Sequence, residues 1–368
     1  MMQAVESVVL VLGRRKPLLE RAFGRLDGFR FVDVVALSDT LADYERAADA
    51  IVARRPVVGV VATSESTMQL AGYLRTRYGL DGLQFEQSLV VTDKWHMTMA
   101  VRSAVLSPRT WLSGQFLHER PSGLPEVVVK PRASSSARGV RRLSYMDALD
   151  FLSSDDRLWV VAEAIDVERE FHCDGVVSDG SIAWMQSSEY DRPVLRSFGT
   201  RSTTVLDASD PLRDELSLFA SAVISAIAIE RGVFHLEIMY DGRRLVFGEI
   251  GFRPAGTGIA ELILRVNEID LWAEFLAAQL GTERAPDRTA ADVRDVAGLI
   301  MARPGVNGEP PLDESAARSL PGVIGIGVGN IDRNTDPENM CEYEYLVFFD
   351  GVERSSVADL RRAVAGKG

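Results

Sequence analysis

A chain of 368 residues with 46% hydrophobic and 26% charged residues can build two or three domains, each around a core of its own. Its formal net charge of -12 argues against nucleic acid or an anionic membrane as the main partner. No apolar run reaches bilayer-spanning length, the N-terminus lacks a signal-peptide pattern, and Cys173 and Cys341 are too few for a disulfide framework, so a cytoplasmic protein with reduced thiols is expected.

SVVLVL (7 to 12), FVDVVALS (31 to 38) and VVGVVATS (57 to 64) read as buried parallel strands with helical stretches between and after them, an alternating α/β unit. Ligands bind at strand ends in such sheets, which makes Arg14, Arg15 and Glu65 site candidates beside the plainer reading as loop charges. An amphipathic helix is expected from Thr67 to Tyr78. Another begins in TDKWHMTMAVRSAVL, with Thr92 as N-cap or Asp93 in its first turn. Lys94 at that start opposes the helix dipole, so it faces solvent or serves an anion.

After Pro108 the strand EVVVKP (126 to 131) ends on Lys130 and runs into RASSSARGV (132 to 140). Three serines and Gly139 make a donor-rich loop able to fold over phosphates, or simply a hairpin turn. LWVVAEAI (158 to 165) breaks its alternation at Glu163, and two strands follow around Asp179-Gly180, the first bearing Glu170. The hairpins over 126 to 190 suggest a small α+β lid. The polar stretch 187 to 204, holding Arg192, Arg196 and Arg201, reads as a long loop. Helices are expected over 211 to 229 and 261 to 281, a strand in EYEYLVFFDG and a terminal helix in SSVADLRRAVAG. The glycines of LPGVIGIGVGN precede no helix, which argues against a dinucleotide site. Histidine-rich metal chemistry is not expected from His96, His118, His172 and His235 without an HExxH motif.

The stretch from Val233 to Gly258 organises the rest: two strands joined at Asp241-Gly242, then a glycine-rich exit. A two-residue turn would pair Tyr240 with Arg243 and place Glu237 and Glu249 on opposite faces. A three-residue loop pairs Tyr240 with Arg244 and Glu237 with Phe247, which gathers His235, Glu237, Phe247 and Glu249 on one face. Two carboxylates there need a neutralising charge, and magnesium, a binder of hard oxygens, suits them. Arg253, four residues past Glu249, could clamp a carboxylate or phosphate. Solvated glutamates on a surface hairpin are the alternative.

Taken in order, these motifs resemble the ATP-grasp superfamily: an α/β first domain, DK before a helix, a strand-borne KP with a serine-glycine loop, ExI with an acid seven residues on, then HLE and ExGxR. The resemblance spans residues 5 to 325 and implies an α/β and α+β protein with the ATP-grasp fold. It implies a pre-ATP-grasp α/β domain at 1–108, a small mobile lid at 109–195, and a catalytic domain with a C-terminal extension at 196–368. By position, Lys94 and Lys130 would neutralise ATP phosphates under a loop containing Ser134, Ser135, Ser136 and Gly139. Glu163, Ala164 and Ile165 would form the adenine hinge, and Glu170 would hold the ribose. Glu237 and Glu249 would hold one or two magnesium ions, with manganese able to substitute, and Arg253 would stabilise an acyl phosphate. Glu65, Arg201 and His235 are substrate candidates. Gly251 stands where the family often has asparagine as a further metal ligand.

The implied activity is ligation of a carboxylate to an amine, amino-acid-like substrates included, with release of ADP and phosphate. Small-molecule substrates and a homodimer are the expected partners. Carboxylase or acid-thiol chemistry on the same scaffold, and a catalytically silent nucleotide-binding module, are the rival readings.

Overall fold

The structure is a computed structural model and describes residues 7–15, 17–135, 137–196, 199–282, 296–305, 308–330 and 342–366. Three sheets carry it. β1 (Ser7–Leu12), β2 (Phe29–Asp33) and β3 (Val57–Ala62) form a parallel sheet in the order β2-β1-β3. The central strand is buried from Val8 to Leu12, on both faces, and hence its apolar run has no alternation.

β4 (Thr110–Leu112), β5 (Glu126–Pro131), β6 (Arg141–Ser144) and β7 (Trp159–Glu163) pair antiparallel in the order β4-β7-β5-β6. This small sheet has its own core, built on Phe116, Val127, Val129, Leu149, Trp159 and Val161. A separate core is the physical condition for a unit that can move as a body.

β8 (Arg169–Ser178), β9 (Ser181–Tyr190), β10 (Arg201–Val205), β11 (Gly232–Tyr240), β12 (Leu245–Gly251), β13 (Val296–Ala302), β14 (Val323–Asn330) and β15 (Tyr343–Val352) build the large antiparallel sheet. Its order is β12-β11-β8-β9-β10-β13-β15-β14. The β8–β9 hairpin pairs with β11 and so belongs here, which corrects the single lid expected over 126 to 190: the small sheet ends at Glu163. The expected loop 187 to 204 is shorter, since β9 continues to Tyr190 and β10 starts at Arg201. β15 lies between β13 and β14, so the C-terminal stretch is part of the sheet.

The helix Arg213–Ile227 buries Leu216, Ala220, Val223, Ile224 and Ile227, the three-and-four spacing of a single apolar stripe. The helix expected over 261 to 281 is two, Ile259–Asn267 and Leu271–Gln279. Glu268 adopts a left-handed φ of 60° and ends the first, and Asp270 caps the second by accepting from Trp272 N and Ala273 N. Arg75, fully buried on the helix Met68–Tyr78, donates to Val60 O, Leu83 O and Gln279 Oε1, tying the first sheet to the helix Leu271–Gln279. Among the described residues, no helix is long and apolar enough to cross a membrane.

Candidate active site

The β11–β12 ribbon sets the geometry. Tyr240 pairs with Leu245, so the connection runs over four residues, Asp241 to Arg244, and Asp241 Oδ1 accepts from Arg243 N and Arg244 N to hold it. That loop would put the glutamates out of step. The shift is restored by a bulge: Ile238 faces Phe247, Gly248 is the extra residue, and Glu237 stands directly opposite Glu249. The expected register, with Tyr240 opposite Arg244 and Glu237 opposite Phe247, is thereby corrected; Phe247 turns to the core with Ile238. The expected sharing of one face by the two acids survives for a different reason. A Cβ on residue 248 would lie 2.8 Å from Glu237 O, so only glycine fits the bulge without displacement.

A cleft of about 490 Å³ opens over this face between the small and large sheets. Its walls include Glu65, Lys130, Ser135, Glu163, Ile165, Glu170, Arg201, His235, Glu237, Glu249 and Arg253, all expected from sequence. Lys94 reaches the same point from outside that wall. Asp93, rather than Thr92, caps the helix Lys94–Val101, accepting from Trp95 N and His96 N, while Thr92 bonds Ser88 O. Lys94 Nζ then donates to Glu249 Oε1 at 2.9 Å and to Ser134 O. Burial alone would lower its pKa, but Glu249, Glu65 and Glu237 outweigh burial and hold it above the ordinary lysine value. Lys94 therefore faces an anion, not solvent.

Lys130 differs. Burial pushes its pKa down, with Glu249 opposing and Lys94 adding to the fall. Among the described residues no hydrogen bond or ion pair reaches its ammonium. A half-buried cation at a cleft wall, unpaired among the described residues, is ready for an anionic ligand.

Glu170 sits on β8 with Oε2 accepting from Val194 N at 2.6 Å. Burial, then the charge of Glu237, push it up to about 7 against that hydrogen bond. Glu237 goes the other way: burial is outweighed by His235, and its pKa falls to about 2. Tyr190 Oη donates to Glu237 Oε1 at 3.4 Å, and His235 Nε2 lies 3.6 Å from the same oxygen.

Arg253 donates from Nε and Nη2 to Glu65 Oε2 at 3.1 and 2.6 Å, joining the exit of β12 to the first sheet's unit. Burial raises the Glu65 pKa in spite of that partner. A Cβ on Gly251 would meet nothing closer than 3.8 Å, so glycine there is not imposed by crowding.

The remaining expectations divide. Glu163 is paired with Arg109, whose hydrogen bond lowers its pKa, and Ile165 is in the wall; Ala164 is not. Gly139, at φ 73°, shapes the serine loop without lining the cleft. Ser134 contributes its carbonyl to Lys94, and Ser136 lies outside the described residues, as does Cys341. Arg14 is absent from the cleft wall, and Arg15 is held by Asp33 and Glu20.

Sequence reasoning missed Arg138 and Arg142, cations of the small sheet and its loop that also line the cleft. Arg138 lay inside the stretch already singled out, and arginine near a serine-glycine loop was the available signal. The apolar wall of Val128, Ala162, Val167 and Met239 was missed too, because its members come from separate strands.

The donor set fits a hard divalent cation. Glu237 and Glu249 each present one carboxylate oxygen without a partner among the described residues, and a cation, the Lys94 ammonium, already sits on Glu249.

Three sheets in this arrangement, with the cleft between the small and large ones, are the ATP-grasp fold. An L-amino acid ligase from Bacillus licheniformis superposes with a TM-score of 0.78 over 98% of this chain and 97% of that one, at 13% identity. A carboxyaminoimidazole ribonucleotide synthase from Aspergillus clavatus, complexed with ATP, gives 0.72 over 99% of each chain, also at 13%. In sequence, the chain is 28% identical over 263 residues to an L-arginine-specific L-amino acid ligase from Bacillus subtilis. That match covers 67% of this chain and 62% of the relative, less than two thirds of its length. No protein-family model matches.

Proposed function

We propose that the protein is an ATP-dependent carboxylate-amine ligase that activates an amino-acid-like carboxylate as an acyl phosphate and joins it to an amine, releasing ADP and phosphate. The observation that carries this reading is the placement of Glu237 and Glu249 opposite each other, within a cleft that also presents Lys94, Lys130 and Arg253. The sequence relative, itself named an L-amino acid ligase, supports the choice of amide formation over carboxylation or thiol ligation.

In this reading the apolar wall of Val128, Ala162, Ile165, Val167 and Met239 receives adenine, and Glu170 accepts from ribose. Lys130, already unpaired, and Lys94 compensate phosphate charge, and the loop with Ser135 and Arg138 covers it. Glu237 and Glu249 would hold magnesium, which supplies charge compensation at the transferring phosphoryl group. The carboxylate attacks the γ-phosphorus in line, so a protein nucleophile is not required; positioning and electrostatics supply the acceleration. Arg253, aimed by Glu65, offers two donors to the acyl phosphate oxygens, and the amine then displaces phosphate from the acyl carbon.

The division 1–108 is kept as a working domain; the lid's own sheet is confined to Thr110–Glu163, and Arg169–Tyr190 goes with the large sheet of the catalytic domain. A buried free thiol at Cys173 accords with a reducing cytoplasm, and a homodimer is part of the same proposal. Hydroxylamine trapping tests the reaction. ATP, magnesium and each amino acid in turn should yield a hydroxamate with at least one of them; hydroxamate from none, in a preparation that binds ATP, would refute acyl phosphate formation.

A further inference from the structure

Behind Glu237 lies a buried polar chain that the reaction described above does not use. Asp174 on β8 is 1% exposed and His172 fully buried, and neither lines the cleft. Sheet register brings them in: Asp174 pairs with His235, and His172 with Glu237, across β8 and β11. A carboxylate this deep is costly without partners, and Asp174 has two. Its Oδ2 lies 2.6 Å from His172 Nδ1, and its Oδ1 lies 2.9 Å from His235 Nδ1. At the far end His172 Nε2 lies 2.6 Å from Thr203 Oγ1. That hydroxyl donates its one proton to Glu189 O, so it accepts from the imidazole. At the near end His235 Nε2 faces Glu237 Oε1.

The same three residues bring potential metal-ligating atoms within 4.8 Å of one another. The contacts fit a hydrogen-bonded chain better than a metal centre. Each imidazole takes a different oxygen of Asp174 at hydrogen-bond distance, and His172 gives its other nitrogen to Thr203, so the donors do not converge on a common point.

We infer that Asp174 is a positioning residue for the metal carboxylate: through His235 it fixes the side chain of Glu237 so that Oε1 is held and Oε2 is left facing the cleft. The inference rests on the reading of Glu237 as a metal ligand. Its physical content is orientation. A glutamate on a strand is free to rotate about three side-chain bonds, and a cation that needs two carboxylates together gains affinity when one is already placed. Tyr190 on β9 and His235 on β11 hold Oε1 from two sides, and Asp174 with His172 and Thr203 fixes the ring of His235 from β8 and β10. Four adjacent strands thus converge on one carboxylate.

The test is Mn2+ affinity, read by electron paramagnetic resonance titration of the full chain with a non-hydrolysable ATP analogue, alongside the Mg2+ dependence of turnover. Asp174→Asn keeps the shape but replaces one accepting oxygen with a donor that opposes an imidazole N–H. Mn2+ affinity should fall about 10- to 100-fold, as for other partners of metal ligands. Turnover should recover to within about twofold at saturating Mg2+, a split that a loss of folded protein would not produce. Thr203→Val, which removes only the distant hydroxyl, should give a smaller loss in the same direction and decides the matter if Asp174→Asn does not fold. Unchanged Mn2+ affinity in a folded Asp174→Asn, or in Thr203→Val when the first variant is unfolded, overturns the inference. Glu237→Gln separates the two levels: if it too leaves Mn2+ affinity unchanged, the metal assignment fails; if it abolishes binding while Asp174→Asn leaves the affinity unchanged, the positioning role alone fails.

Discussion

Glu237 and Glu249 face each other across the β11–β12 ribbon because Gly248 stands between the register of the turn and the register of the site. The four-residue connection and the one-residue bulge are each out of step with the pleat, and together they return both acids to one face.

Gly248→Ala should therefore cost both stability and metal affinity. The added methyl meets Glu237 O at 2.8 Å, and relief means moving the backbone that carries the proposed metal carboxylate, at about 1–3 kcal/mol. Gly251→Ala, whose methyl finds nothing within 3.8 Å, should fold as the parent does. Denaturant melts of the two variants compare them directly.

Lys130→Met should give a protein that is more stable without nucleotide and unable to bind ATP. Burial pushes the ammonium's pKa down in spite of Glu249, Glu237 and Glu170, which means that the folded chain bears a desolvation cost these carboxylates offset only in part and an anionic ligand would offset further. Thermal melts should show a higher midpoint for the variant alone, and the parent's ATP-dependent rise in midpoint should vanish.

Glu170 adds a pH dependence of defined sign. Its pKa in the folded chain, about 7, lies above the 4.5 of an ordinary glutamate because burial and Glu237 disfavour the charge. The stability this proton brings is complete below 4.5 and is lost as pH rises through 7. Glu170→Gln, which cannot ionise, should gain stability relative to the parent from pH 5 to pH 8, by up to about 3 kcal/mol. Melts at the two pH values check it; a constant difference between variant and parent would contradict the assignment.

Glu249→Gln should abolish phosphate release while leaving the fold intact. The amide remains able to accept from Lys94 through its oxygen but loses the charge that a divalent cation requires. Phosphate release with circular dichroism as the fold control measures this.

What the sequence made legible was local. Periodicity located most strands, Asp93 announced a helix start beside Lys94, and the identity of Glu237, Glu249, Lys130 and Arg253 was readable because their order along the chain is distinctive. Register was not. The bulge at Gly248 depends on a close approach to the Glu237 carbonyl that no linear pattern encodes, so the shared face was anticipated with the wrong partners. The hairpin Arg169–Tyr190 looked like lid because strand pairing over long range is decided by which edge is free, here that of β11. Asp174 passed unnoticed among the alternating residues of β8, since its meaning comes from His235, a neighbour only in space.

The central claim is that ATP cleavage is coupled to amide formation in one cleft. It is tested most directly by incubating the protein with ATP, Mg2+ and a mixture of amino acids, then quantifying ADP and any dipeptide by mass. The account predicts dipeptide and ADP in equal amounts. Bound ATP with neither product, across the whole amino-acid mixture, would contradict it.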